Sequence, residues 1–180
     1  MDPNPFQENG QMPPHEPGKQ KSYSLKPPVE GLGGWLVLVQ ISIYFSLITI
    51  TALLITNVLP LYESEVWDVL TDPSSPYYDA MLAPLILFET VMNVLFVIGL
   101  IIALFLMYGK KRAFPKLMIG YIIASLLFGI ADFAVASQIE LLAETDDGQS
   151  ATQIVRSMIY ACIWIPYFIR SERVRNTFVN

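Results

Sequence analysis

The sequence predicts an all-α integral membrane protein, with four transmembrane helices as an antiparallel bundle and a disordered N-terminal tail. Three observations predict it. Hydrophobic residues make up 53% of the chain and charged residues 15%. The apolar residues fall in long blocks rather than at amphipathic spacing, which is the membrane class and not a soluble core. Cationic segments alternate with acidic ones between the blocks, the charge pattern that threads a helical membrane protein.

Residues 1–30 are rich in Pro, Gln, Glu, Gly and Lys and nearly free of large aliphatics. Such a stretch buries too little apolar area to offset its ordering entropy, so a disordered, Pro-rich cytoplasmic tail is expected. It lacks the apolar core of a cleavable signal, and the first span is expected to serve as its own signal. Residues 31–180 form the membrane domain, entered through Gly31-Leu32-Gly33-Gly34.

The first span is expected at about 35–59, with Trp35 at headgroup level and Pro60 closing it. The loop from Leu61 to Ala80 carries Glu63, Glu65, Asp68, Asp72 and Asp79 and no Lys or Arg. Within it Val66, Trp67, Val69 and Leu70 are spaced for one short amphipathic turn on the membrane surface. Asp72-Pro73 ends that turn, because a residue before proline is pushed out of the α region.

The second span, about 81–108, is almost wholly apolar but holds Glu89, with Asn93 one helical turn later. An acid at a helix centre in hydrocarbon costs roughly 2.5 kcal/mol or more unless something answers it. A short basic hinge, Gly109 to Lys116, leads to the third span at about 117–139. There Ser125, Gly129, Asp132 and Ala136 share one face, whose small residues allow close helix approach. A second acidic loop follows. The fourth span is expected at about 151–169, which brings Arg156 inside its outer end, with Pro166 bending the last turn. Residues from Arg170 to Asn180 read as a basic tail.

By the positive-inside rule both termini face the cytoplasm and both acidic loops face out. Glu89, Asn93, Asp132 and Arg156 then fall in the outer half of the bilayer as an intramembrane polar cluster. Either Arg156 bridges the two carboxylates, with Asn93 as a neutral partner, or one carboxyl stays protonated. The cluster serves as a structural latch or as a functional site. The single cysteine, Cys162, lies in an apolar run and His15 in the tail, so neither a disulfide, a metal set nor any other cofactor site is expected. No Ser–His, zinc-helix or paired-Cys arrangement points to an enzyme, and no basic–aromatic face points to nucleic acid.

Several motifs carry a resemblance. Gly31-Leu32-Gly33-Gly34-Trp35-Leu36, Trp67 with Leu70-Thr71, Pro84-Leu85 with Phe88-Glu89, Phe114-Pro115, Asp132, Ile163-Trp164-Ile165-Pro166-Tyr167 and Ser171-Glu172-Arg173-Val174 resemble the bacterial membrane family called domain of unknown function 2569. The resemblance runs from Gly31 to Phe178. It implies a small four-helix inner-membrane protein and brings no activity with it. The expected partners are the lipid bilayer and another membrane protein or a second copy. An accessory or partner-binding bundle is the leading expectation. The alternative is a small proton- or ion-coupled transporter using Glu89 and Asp132.

Overall fold

A computed structural model describes residues 29–145 and 147–180. The tail at 1–28 and Asp146 lie outside the described residues. Within them the chain is helical, with no strand.

Helix α1 (Trp35–Leu53) passes through a π-helical turn (Leu54–Val58) into α2 (Leu59–Glu63), so one rod of 29 residues runs from Trp35 to Glu63. Pro60 therefore does not close the first span. The wide turn resets the hydrogen-bond register, with the Leu59 amide donating five residues back to the Leu54 carbonyl. Pro60 then sits at the start of α2, where its absent N–H is one that would have had no partner. The short turn expected at Val66 to Leu70 is α3 (Glu65–Thr71). Asp72 is extended, as its place before Pro73 requires. Its carboxylate accepts from the Ser74 amide at 2.9 Å and the Ser74 hydroxyl at 2.8 Å, which hold it below the usual carboxylate range.

The second span is α4 (Leu82–Tyr108) and the third is α5 (Ala113–Ala136). Helix α5 starts earlier than expected because Pro115 is tolerated in a first turn, which carries Phe114 into the helix. Lys110 takes a left-handed φ of 51° in the turn between them. Its amide donates to the Met107 carbonyl at 3.1 Å and the Lys111 amide to that of Leu106 at 2.9 Å, the paired bonds of a Schellman end. The second acidic loop folds into α6 (Glu140–Thr145), after which come α7 (Gln149–Arg170) and α8 (Glu172–Thr177).

Among the described residues three helices are long and apolar enough to cross a membrane: Trp35–Glu63, Leu82–Tyr108 and Ala113–Ala136. Helix α7, the fourth expected span, has 22 residues, about 33 Å at a rise of 1.5 Å per residue. It is amphipathic rather than apolar all round, burying Ala161, Trp164 and Phe168 while Arg156 is exposed. Elsewhere large apolar side chains face outward, as with Phe45 at 70% and Phe105 at 76% exposure. Apolar surface on that scale suits lipid, not water.

The main core lies at the basic end. Leu36 and Met107 are each fully buried there, with Phe114 also at 0%. Phe114 stacks on Phe178 at 4.5 Å and meets Phe168 edge-on at 6.0 Å. The last ten residues are thus no basic tail but part of the fold. Ser171 caps α8, its Oγ accepting from the Val174 amide at 3.4 Å. The Gly31 amide donates to the Thr177 hydroxyl at 2.8 Å, which donates back to the Gly31 carbonyl at 3.3 Å. Arg173 donates to the Glu30 carbonyl at 3.1 Å. The Arg112 amide donates to the Asn180 carbonyl, and its Nε to that of Val179, both at 2.8 Å.

The glycines of the entry turn make room for this closure. A Cβ on Gly33 would stand 3.2 Å from Arg173 Nη1, and one on Gly34 would stand 3.2 Å from Arg173 Nε. Gly34 also has φ 61° and ψ −136°, a conformation that side chains avoid. Gly34→Ala should therefore cost about 1–3 kcal/mol. Gly120→Ala is the control: nothing lies within 4 Å of its Cβ position, and alanine is the better helix former. Thermal melting of both variants in detergent should lower the midpoint for the first and not for the second.

Candidate functional site

The end opposite the basic core is built differently. A small core of Leu82, Leu85 and Ile139 holds α4 to the end of α5, with Leu70 of α3 and Leu142 of α6 packed on it. Below it, aromatic rings space α4 from α5: Phe88 and Phe128 are 5.6 Å apart, and so are Phe96 and Phe128. Tyr62 of α2 shares a 2.9 Å hydrogen bond with Thr90 of α4, tying the rod to the helix that carries Glu89.

At a rise of about 1.5 Å per residue, Glu89 lies about 10 Å inside α4, Asp132 about 6 Å inside α5 and Arg156 about 10 Å inside α7. All three are measured from the acidic end. Glu89 and Asp132 approach each other across the α4–α5 interface within hydrogen-bonding reach. They share the wall of a cavity of about 650 Å³ that extends to Gln149 and Ser150. Oδ1 of Asp132 is buried and has no hydrogen-bond partner.

Arg156 takes a different place from the one expected. It is exposed and, among the described residues, makes no ion pair with Glu89 or Asp132. It joins Asp132 instead around a second cavity, of about 490 Å³, lined also by Ser125, Ser157, Gln153 and Tyr160. Asn93 is half-buried and lines neither cavity. The four residues therefore split into a carboxyl pair, an acid–arginine pair that faces without touching, and a bystander.

The small-residue face of α5 explains the split. Gly129 lines the Asp132–Arg156 cavity, and a Cβ added there would meet nothing within 4 Å. Helix α5 packs against α7 more extensively than against α4, so the face does bring those two helices together as expected, and the space it leaves is local to Ser125 and Gly129. Tyr121, Gln153 and Ser157 are polar wall residues that sequence reasoning did not single out. Tyr160 carried a signal, standing one helical turn from Arg156 on the same stripe. Among the described residues no three His, Cys, Asp or Glu side chains gather as a metal set.

Residues 29–179 match the family model described as Protein of unknown function (DUF2569). The chain belongs to that family. The match takes in every helix, and so both cavities and the closure at the basic end. The chain is also similar to the inner membrane protein YdgK of Escherichia coli (strain K12), with 30% identity over 73 residues. That stretch is 41% of this chain and 45% of the relative, so less than half of the relative's length is spanned. No solved structure matches.

The carboxyl contact sets an expectation for Glu89→Gln. The amide would offer an N–H to the Asp132 carboxylate at every pH, whereas the acid can donate only while the pair holds a shared proton. A net gain of about 1 kcal/mol is expected, read as a higher melting midpoint in detergent. Arg156→Met, which breaks no ion pair, should move stability by less than about 0.5 kcal/mol.

Proposed function

We propose that this protein is a non-catalytic four-span bundle of a bacterial inner membrane that binds a partner, either another membrane protein or a second copy of itself. Helix α3 carries the partner reading. Its inner side is tied down, with Trp67 edge-on to Tyr62 at 4.7 Å and Leu70 on the small core. Its outer side leaves Val66 at 52% and Val69 at 42% exposure, a short apolar ridge flanked by Glu65 and Asp68. Disrupting it with Val66→Asp and Val69→Asp together should strip a co-purifying partner, or the second copy, from gently solubilised membranes. Melting should shift by less than about 0.5 kcal/mol. A complex that survives the double substitution rules α3 out as the docking face.

Four spans are supported by the course of α7 beside α5. Its end near Phe168 meets Phe114 at the start of α5, and its beginning near Ser150 and Gln153 meets Gly129 to Phe133 toward the other end. A helix lying along the full length of a membrane span, in the opposite sense, has little choice but to cross with it. Both termini in the cytoplasm are supported by the charges. Lys110, Lys111, Arg112, Lys116, Arg170, Arg173 and Arg175 belong to one end, while Glu63, Asp79, Glu140 and Asp147 belong to the other. Reporter fusions at Asn180 and after Ser74 should read as inside and outside respectively. An external Asn180 would overturn the four-span reading.

A small proton- or ion-coupled transporter is the second reading. It is favoured by Glu89 and Asp132 lining one cavity that reaches the acidic loop. Proteoliposomes under a pH gradient separate the two readings: a flux abolished by Glu89→Gln belongs to the transporter, and no flux belongs to the partner-binding bundle.

A further inference from the structure

The cavity between α5 and α7 carries an acid and an arginine that do not pair with each other. On one wall stands Asp132, whose neighbour across the α4–α5 interface is another acid, Glu89. On the other, Arg156 has no acceptor among the described residues. Both line the same space of about 490 Å³ without bonding to each other. A simple cation would satisfy Asp132 and meet Arg156 as a like charge. A simple anion would do the reverse. A zwitterion answers both, with its ammonium N–H groups donating to the aspartate and its anionic oxygens accepting from the guanidinium fork. Both contacts are charge-assisted, which makes them the stronger kind of hydrogen bond.

The remaining wall suits such a guest. Ser125, Ser157, Gln153 and Tyr160 offer neutral donors and acceptors around the charged pair. The cavity also reaches Ser46 of α1, so it is bounded by α1, α5 and α7 at bilayer depth. On the neighbouring turns of α1 and α7, Ile48 and Ile159 are exposed at 68% and 56%, an apolar surface along which acyl chains can lie.

We infer that this cavity is a binding site for a small zwitterion bearing a primary ammonium and a phosphate or carboxylate, which a phosphatidylethanolamine headgroup supplies from the bilayer and a free phosphoethanolamine or amino acid supplies from solution. The site does not depend on the partner-binding role, since it is complete within one chain and is read on the purified protein.

The test starts from the unsubstituted full chain, released from vesicles of equal phosphatidylethanolamine, phosphatidylcholine and phosphatidylglycerol and examined by native mass spectrometry. Phosphatidylcholine keeps the charges but has no ammonium N–H for Asp132. Phosphatidylglycerol keeps the phosphate but has no cation. Retention of phosphatidylethanolamine about tenfold over both is expected, the effect of one good charge-assisted hydrogen bond. Asp132→Asn and Arg156→Gln, checked for an unchanged helical spectrum, should each reduce that retention by about tenfold. In lipid-free detergent, phosphoethanolamine and glycine form the second arm. A raised melting midpoint with either, lost in both variants, supports the same site with a soluble guest. Equal retention of the three lipids together with no stabilisation by either soluble zwitterion overturns the proposal. So does a preference that both folded variants keep.

Discussion

Everything in this fold hangs on how the basic end is closed. Apolar helices in lipid gain little by hiding apolar surface from one another, because lipid is as apolar as they are. Their association rests on packing and on hydrogen bonds away from water. Here both are concentrated at one end. Phe114, Phe168 and Phe178 meet from three elements, and Trp164 stands edge-on to Trp35 at 6.3 Å. The buried Thr177 hydroxyl exchanges two bonds with the backbone of Gly31. The entry to the first span, the hinge between the second and third and the end of the chain are thereby locked together.

That closure lets the other end stay open. The contacts there are a three-residue core and a short aromatic ladder, and the helix faces above them are lined by Gly129, Ser125 and Ser157 rather than by large side chains. Close packing leaves few voids larger than a water in ordinary interiors. Three cavities that reach Asp132 are therefore a local departure, and they coincide with the ionisable groups. Rigidity at one end and polar space at the other is a division that a functional site on a small bundle can use, since the site does not also have to hold the helices together.

Part of the site is legible in the sequence. An intramembrane acid is costly enough that Glu89 and Asp132 stand out against apolar neighbours, and helix arithmetic puts them at a common depth. The partner of each was not visible. Arg156 shares their depth, but whether it touches them depends on which way its long side chain leaves α7, and it is exposed although α5 and α7 pack closely. The face of Ser125, Gly129 and Asp132 suggested close approach, and α5 and α7 do pack closely, yet the small side chains leave a local space across which Arg156 and Asp132 do not meet. A periodic pattern tells which residues share a face, not where a long side chain on the next helix comes to rest.

Other differences have the same origin. The sequence by itself determined the membrane class, three helices apolar enough to cross a bilayer, the short helix before Asp72-Pro73 and the separation of basic from acidic ends. Each depends on composition, length or the geometry of neighbouring residues, which are local quantities. Only the tertiary structure decided that the first helix continues past Pro60, because a π-turn upstream removes the penalty for the missing N–H. It alone decided that Arg170 to Asn180, charged enough to read as a tail, folds back, because Val174 and Phe178 find a pocket at the hinge and Arg173 finds two glycines that leave it room. Those residues are about 140 positions apart in the chain, and no local pattern in either segment encodes the shape of the other.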